Sequence, residues 1–443
     1  MTRTLIASVC LLFVVTIGPA SAQSGPLRLT LTDALAQGLN NSHRIAEARA
    51  REEGARAAVT TAELADRPTA AASASYFRTN HVTEFFFVQP NGTRQVFYPD
   101  VPDNFMSRLS FQWPIYTSGR TDALERAAEA EARAAGADIE TTRADLRFEI
   151  VRAYWAAATA REAVRVLEES TARAEAQLVD ARQRFDVGLI PPNEVSGLEA
   201  QRSRERAQLI EAGNLRESAL IELRRLIGVA PDTIIELADS LENTSGMIGA
   251  QGEVPTLIKE ALDARSERQA LAFRMGGAEA RQQAALTATK PAIGFTGGVD
   301  YANPNTRIFP RKGEWQESWD VGVNVNWNFF DSGRAKSQAA EAAAVVNATR
   351  ERIAEFDSVV SADIRQRLLD LDTSQAMVRA ATDAVRSSAE ARRVVSDRFA
   401  AGVATSTDVL VAQVQLLENE LARTRALAGV RLAEARLQRA LGR

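Results

Sequence analysis

The chain repeats itself. Trp113 with Ser118-Gly119-Arg120 returns as Trp327 with Ser332-Gly333-Arg334. Phe185 and Gly188 return as Phe399 and Gly402, Val195 as Val409, and Gly228 as Gly442. Each pair is 214 positions apart, so the two halves match without a gap from Trp113 to Gly228. Upstream, Arg67-Pro68 faces Lys290-Pro291 at a shift of 223, because the first half carries a longer loop between its strands. The chain divides into a leader at 1–22, a first repeat at 23–228, an inter-repeat segment at 229–254 and a second repeat at 255–443.

Within one unit, Thr32 before Asp33-Ala34-Leu35 predicts the start of a helix that runs to about Ala65. Pro68 ends it. The segment after Pro68 alternates weakly. A polar loop follows, broken by Pro90-Asn91-Gly92 and Pro99. Then comes a strand, with Leu109, Phe111 and Trp113 on one face and Arg108, Ser110 and Gln112 on the other. The second copy is cleaner. Trp319, Val321, Val323, Val325, Trp327 and Phe329 share one face, while Asp320, Gly322, Asn324, Asn326 and Asn328 share the opposite one. Ile293, Phe295, Val299 and Tyr301 alternate after Pro291. Apolar-out, polar-in strands with aromatics near their ends suit a barrel in lipid, and a face of Asp, Gly and Asn suits a water-filled lumen. A soluble sheet packed on one face would alternate in the same way.

After Ser118-Gly119 a helical pattern runs unbroken to about Val187, roughly 70 residues or ~105 Å. Its seam reads Leu146, Ile150, Ala153, Ala157, Ala160, Val164, Leu167, Thr171, Ala174, Leu178, Ala181, Phe185. Steps of four and three make a heptad pattern, which implies left-handed supercoiling with neighbouring helices. The second copy is looser, with Arg367, Ser374, Ser388 and Arg392 at equivalent positions. Those residues face an aqueous interior or mark a register shift. Gly188 ends the long helix, and Pro192 or Asn193 opens a return helix to about Ile227. Gly402 does the same in the second copy, where Thr405 or Ser406 caps the return helix. The first helix and the return helix together equal the long one, so stacked end to end they would run beside it. The inter-repeat segment predicts a small collar with a short strand around Thr233 to Leu237.

Composition narrows the setting. Arg3, the thirteen-residue apolar stretch Leu5–Ile17 and the small residues Ala20-Ser21-Ala22 form a secretory signal, so the mature chain is expected to begin near Gln23. Cys10, the only cysteine, lies inside the apolar stretch rather than at the cleavage point. No later segment is apolar for 18 residues, so a membrane crossing would have to be a β-barrel. The net charge of −4 gives no reason to expect nucleic acid. His43 and His81 have no metal-ligand spacing, and no nucleophile–base cluster or phosphate loop is visible. No catalytic, cofactor-binding or metal residue is assigned, and the chain is not read as an enzyme.

Two strands per copy give four per chain. Four cannot close a barrel, and open edges are not tolerated in lipid, whereas three chains would supply twelve strands. A homotrimer follows if the strands are transmembrane.

The chain resembles the TolC-like outer-membrane efflux protein family over nearly all of its mature length. The carriers are Pro114-Ile115-Tyr116 with Ser118-Gly119, and Phe329-Phe330 with Ser332-Gly333. With them go Phe185-Asp186-Val187-Gly188-Leu189, Phe399-Ala400-Ala401-Gly402-Val403 and Thr407-Asp408-Val409-Leu410. The resemblance implies a mainly α fold with a β portion: a trimeric twelve-stranded barrel on a long coiled-coil tunnel. It implies an outer-membrane location in a Gram-negative bacterium, with a large periplasmic part in contact with outer-membrane lipid above. It implies a passive exit duct of a tripartite efflux or type I secretion system, docked to a periplasmic adaptor (membrane fusion) protein and an inner-membrane pump. On this resemblance Val187, Gly188 and Leu189, with Ala401, Gly402 and Val403, are expected to contact the adaptor. Asp408 matches an acidic ring at the periplasmic constriction, and equally reads as a helix-start charge. Glu194 occupies the matching place in the first copy. The family often has a second acidic residue where Val411 stands, and some members a basic latch residue where Ala404 stands. The second copy is expected to line the gate and the first to form the stiffer wall. The alternative is a non-channel periplasmic coiled-coil scaffold or adaptor.

Overall fold

The computed structural model describes residues 26–242 and 252–443. The expected leader and its cleavage site lie outside them, as does 243–251 of the inter-repeat segment. The first copy runs β1 (Leu27–Leu29), α1 (Leu31–Asn41), α2 (His43–Glu63), β2 (Thr69–Arg78), β3 (Phe85–Val88), β4 (Arg94–Tyr98), β5 (Asp103–Tyr116), α3 (Arg120–Asp186) and α4 (Pro192–Ile227). A short β6 (Ile235–Leu237) follows. The second copy runs α5 (Val254–Ala264), α6 (Ser266–Leu286), β7 (Ala292–Asn303), β8 (Gln316–Asn326), α7 (Arg334–Ala400) and α8 (Ser406–Ala440).

The long rods α3 and α7 each have 67 residues. Beside α3 lie pieces of 11, 21 and 36 residues, and beside α7 pieces of 11, 21 and 35. The expected end-to-end stacking is therefore observed. Near the strands the layer order is α2, α3, α6, α7; toward the tips it is α4, α3, α8, α7. The α3 seam fills the contacts: Leu146, Ile150, Ala153, Ala157, Val164, Leu167, Ala174, Leu178 and Ala181 are all buried. Alanine at so many seam positions lets the backbones approach closely. Two matching cores result. One gathers Leu146, Ile150, Leu223 and Ile227, and the other Val360, Ile364, Leu437 and Leu441, each pair 214 apart. No described helix is long and apolar enough to cross a membrane.

Several expectations need correction. The helix expected from Thr32 to Ala65 starts one residue earlier, capped by Thr30, and is two helices. Ser42 is extended (φ −72°, ψ 118°), and its Oγ accepts from the Ile45 N–H at 3.3 Å, so it caps α2. Arg265 makes the same break in the second copy at φ −72°, ψ 119°. The loop expected after β2 contains a hairpin, β3–β4, turned by Pro90-Asn91-Gly92 with Gly92 at φ 79°. β8 ends at Asn326, so Trp327 and Phe329 lie beyond the strand rather than on its face. The collar strand is only Ile235–Leu237, and it pairs in parallel with β1, an element the sequence reading missed.

The collar joins the start of the first copy to the inter-repeat segment, and side chains from α3 hold it. Buried Tyr154 donates to Asp239 Oδ2 at 2.7 Å, and its oxygen lies 3.1 Å from the Leu29 carbonyl. Burial, with the Asp239 carboxylate beside it, pushes the Tyr154 hydroxyl well above its ordinary pKa. Arg161 donates to the Leu237 and Asp239 carbonyls at 2.5 and 2.7 Å. Asp239 in turn accepts from the Leu31 N–H at 2.8 Å, at the start of α1. Tyr154→Phe is therefore expected to lower stability by about 1–3 kcal/mol, because it strands buried acceptors. Denaturant unfolding of the purified protein checks this, and an unchanged midpoint would contradict it.

Candidate functional site

Two regions carry functional geometry: the four-stranded sheet at one end and the helix turns at the other. The sheet order is β2-β5-β7-β8, antiparallel throughout. Its strands have 10, 14, 12 and 11 residues, enough for a tilted membrane crossing. Register turns the alternation into rows. Ala72, Leu109, Val299 and Trp319 line up across one face, and Ser73, Arg108, Asp300 and Ser318 across the other. No helix covers the apolar face: Trp319 is 74% exposed and Val325 66%. A soluble sheet would bury such a face against another layer. The outer edges of β2 and β8 have no strand partner among the described residues.

The polar face carries a charge network that the sequence reading did not assemble. Arg108 donates to both oxygens of Asp300 at 2.9 and 2.8 Å, and to Asp320 at 3.0 and 3.2 Å. Its guanidinium crosses Gly298, where an added Cβ would meet Nη2 at 2.7 Å. Arg108 and Asp320 are legible as polar-face residues, but their pairing requires the register across three strands.

Between sheet and rods, the repeated Ser-Gly pairs form one kind of joint. Ser118 and Ser332 both have φ 55°, and Gly119 and Gly333 have φ 81° and 86°. Two successive left-handed residues turn each strand into its long helix. The Trp113 indole N–H donates to the Asp66 carbonyl at 3.0 Å, and Trp327 to Thr289 at 3.1 Å. Each indole thus ties the chain where it leaves the sheet to the turn just after the incoming helix.

At the far end both turns are Schellman motifs. Gly188 (φ 76°) donates to the Phe185 carbonyl at 2.8 Å and Leu189 to Arg184 at 2.8 Å. Gly402 (φ 75°) donates to Phe399 at 3.0 Å and Val403 to Arg398 at 2.9 Å. The expected tip residues are surface groups: Val187 is 70% exposed and Leu189 72%, and Ala401, Gly402 and Val403 are exposed as well. The two tips also touch. The Arg184 guanidinium sits 4.6 Å from the Phe399 ring centroid, and Leu410 of α8 packs on Leu178, Ala181 and Leu198 of the first hairpin. Arg173 bridges to Glu420 at 3.0 Å. These links between copies were missed, since nothing in spacing pairs residues on different hairpins.

Asp408 is engaged locally. Its Oδ2 accepts from the Thr405 N–H at 2.9 Å and hydroxyl at 2.8 Å, and its own N–H donates to Thr405 Oγ1 at 3.2 Å. This is a capping box, with Asp408 at the third helical position. Glu194 holds the same position in α4, but its N-cap is Pro191, which has no side-chain hydroxyl to answer it. The Thr405 backbone N–H and then its hydroxyl hold the Asp408 carboxyl below the usual carboxylate range. A lowered folded-state pKa means the carboxylate steadies the start of α8 at neutral pH. That contribution is lost as pH falls through the lowered value, below the ordinary carboxylate range. Amide hydrogen exchange at Val409–Val411 is expected to quicken in Asp408→Asn at neutral pH. The gap between variant and wild type should close on acidification; a gap that persists would contradict the cap assignment.

The sequence profile of the family described as outer membrane efflux protein matches residues 34–229 and 257–443. The outer membrane protein TolC of Vibrio cholerae is 26% identical over 327 residues, covering 72% of each chain. Among solved structures, the outer membrane protein VceC of Vibrio cholerae superposes with a TM-score of 0.75 at 21% identity, covering 93% of this chain and 96% of that one. The open state of the MtrE outer membrane channel of Neisseria gonorrhoeae gives 0.76 at 20% identity, covering 93% and 88%.

Proposed function

Because the chain belongs to the outer membrane efflux protein family, an efflux channel of the outer membrane, we propose that three copies close into one passive exit duct. The observation that carries this reading is the sheet: an uncovered apolar face, a polar face opposite, and two unpaired edges. In hydrocarbon an unpaired edge costs several kcal/mol per backbone group, so the β8 edge of one copy needs the β2 edge of the next. Three four-stranded sheets make a closed twelve-stranded barrel. The rods beneath would then form a tunnel of about 100 Å, since 67 residues rise 1.5 Å each.

We place the hairpin tips at the periplasmic mouth, where Val187, Gly188, Leu189, Ala401, Gly402 and Val403 meet an adaptor that joins the duct to an inner-membrane pump. Their exposure and their rigid turns support this, because an exposed apolar tip is a docking surface rather than a core. Asp408 lies one turn into α8, near these tips, and three copies would bring three carboxylates around the axis. We assign it both tasks, capping the helix and lending negative charge to the constriction, with Glu194 its weaker counterpart. The gate lies with the second copy. Among the described residues of one chain, α3 is walled on both sides by other helices, whereas α7 has helical neighbours on one side, and its seam carries the half-buried Arg367, Ser374 and Arg392 and the buried Ser388.

Two measurements test these statements. Purified protein added to a planar lipid bilayer should give stepwise conductance and run as a trimer in detergent. A water-soluble monomer without conductance would favour the scaffold reading. Gly188→Pro or Gly402→Pro should abolish export while trimers persist in the membrane, because proline cannot adopt the positive φ of the turn. Unchanged drug tolerance in those mutants would count against docking at the tips.

A further inference from the structure

At the end of the sheet remote from the helices, β7 and β8 are joined by residues 304–315. This loop bends over the polar face. Asn305, only 2% exposed, donates from Nδ2 to the Gln316 carbonyl and to Ser318 Oγ, both at 3.1 Å. Its Oδ1 accepts from the Arg307 N–H at 3.0 Å. The Arg307 guanidinium then reaches Asp320 at 2.8 Å and Asp300 at 3.7 Å, joining the Arg108 network. From there the loop crosses to the first copy. Phe309 stacks on Phe97 at 5.6 Å, and the Arg311 N–H donates to the Phe97 carbonyl at 3.1 Å. It returns to the apolar face at Trp315, stacked on Tyr301 at 4.9 Å.

One burial value decides what this means. Asp300 is 6% exposed, although it lies on the face that should meet pore water. Nearer the helices, Asn324 on the same face is exposed. Arg108 of the sheet and Arg307 of the loop together cover Asp300, so the loop lies over the sheet there rather than standing out from it. Two arginines and two aspartates balance there, so the cluster holds the loop without leaving net charge.

We propose that loop 304–315 is a constriction at the outer mouth of the duct, anchored by Arg307, and that it limits the size of what leaves. This rests on the reading of the polar face as the pore face. Three such loops would narrow a twelve-stranded barrel from inside. Arg307 is a positioning residue, acting through Asp300 and Asp320.

The test uses the scarcity of cysteine, since Cys10 is the only one and lies in the expected leader. Asn324→Cys on the pore face and Val323→Cys on the apolar face are each labelled in intact cells. A small charged maleimide is compared with a polyethylene glycol maleimide of several kilodaltons. Asn324→Cys should react with the small reagent and only slowly with the large one. Adding Arg307→Ala should speed the large reagent severalfold without changing the small one, and Arg307→Lys should restore most of the barrier. Phe309→Ala, which loosens the loop from its aromatic tether, gives an independent second variant. Large-reagent rates that stay equal in Arg307→Ala and Phe309→Ala overturn the constriction. Val323→Cys reacting with the small reagent as fast as Asn324→Cys overturns the pore-face reading instead.

Discussion

Alanines that recur along the heptad seam of α3, between larger residues such as Leu146, Val164 and Leu178, set the spacing of the helical layer. Ala153, Ala157, Ala174 and Ala181 are buried there because helices approach from both sides, and such close contact depends on backbones nearly meeting. Replacing any of these with a larger residue would push a neighbour outward, and every rod shares a neighbour with the next. The heptad seam therefore does more than bind one pair of helices. It fixes the distance between the two copies, since α6 and α8 of the second copy lie directly against α3 of the first.

Much of this was legible in the chain because the repeat allows each copy to check the other. A glycine that turns a helix in one half must do so in the other, and Gly188 and Gly402 both do. Strand phase was legible for the same reason: Leu109 and Val323 fall on the same face. The helix break at Ser42 escaped because α1 and α2 share one apolar stripe, and in the second copy the break falls on Arg265, which gives no capping signal. The β3–β4 hairpin escaped because a polar loop and a short hairpin use the same turn residues. The Arg108 network and the contact between Arg184 and Phe399 are long-range. Local patterns name such residues but do not pair them, because pairing is decided by register and packing.

The copies differ where their surroundings differ. β1 and β6 form a collar beside the first copy, and α3 answers it with Tyr154 and Arg161, whose counterparts 214 positions on in α7 are Leu368 and Gln375. In the second copy, Arg367 is instead occupied by its own helix, paired with Asp363 and Asp370 at 3.0 and 2.9 Å. α7 is tied outward as well, through Asp357 to Arg268 of α6 at 2.7 Å and through Asp363 to Arg265 at 3.7 Å, so both long rods pair with their neighbours.

Trp113 and Trp327 sit where the sheet gives way to the rods, each with its indole N–H bound to a carbonyl and its ring open to the surroundings. An indole so placed favours the boundary between hydrocarbon and water. Each chain carries two of them, and the duplication puts both at the same joint. Around a closed ring they would trace a single waterline, holding the duct at one depth and upright, so that a load applied at the distant tips meets resistance to tilting at the membrane surface.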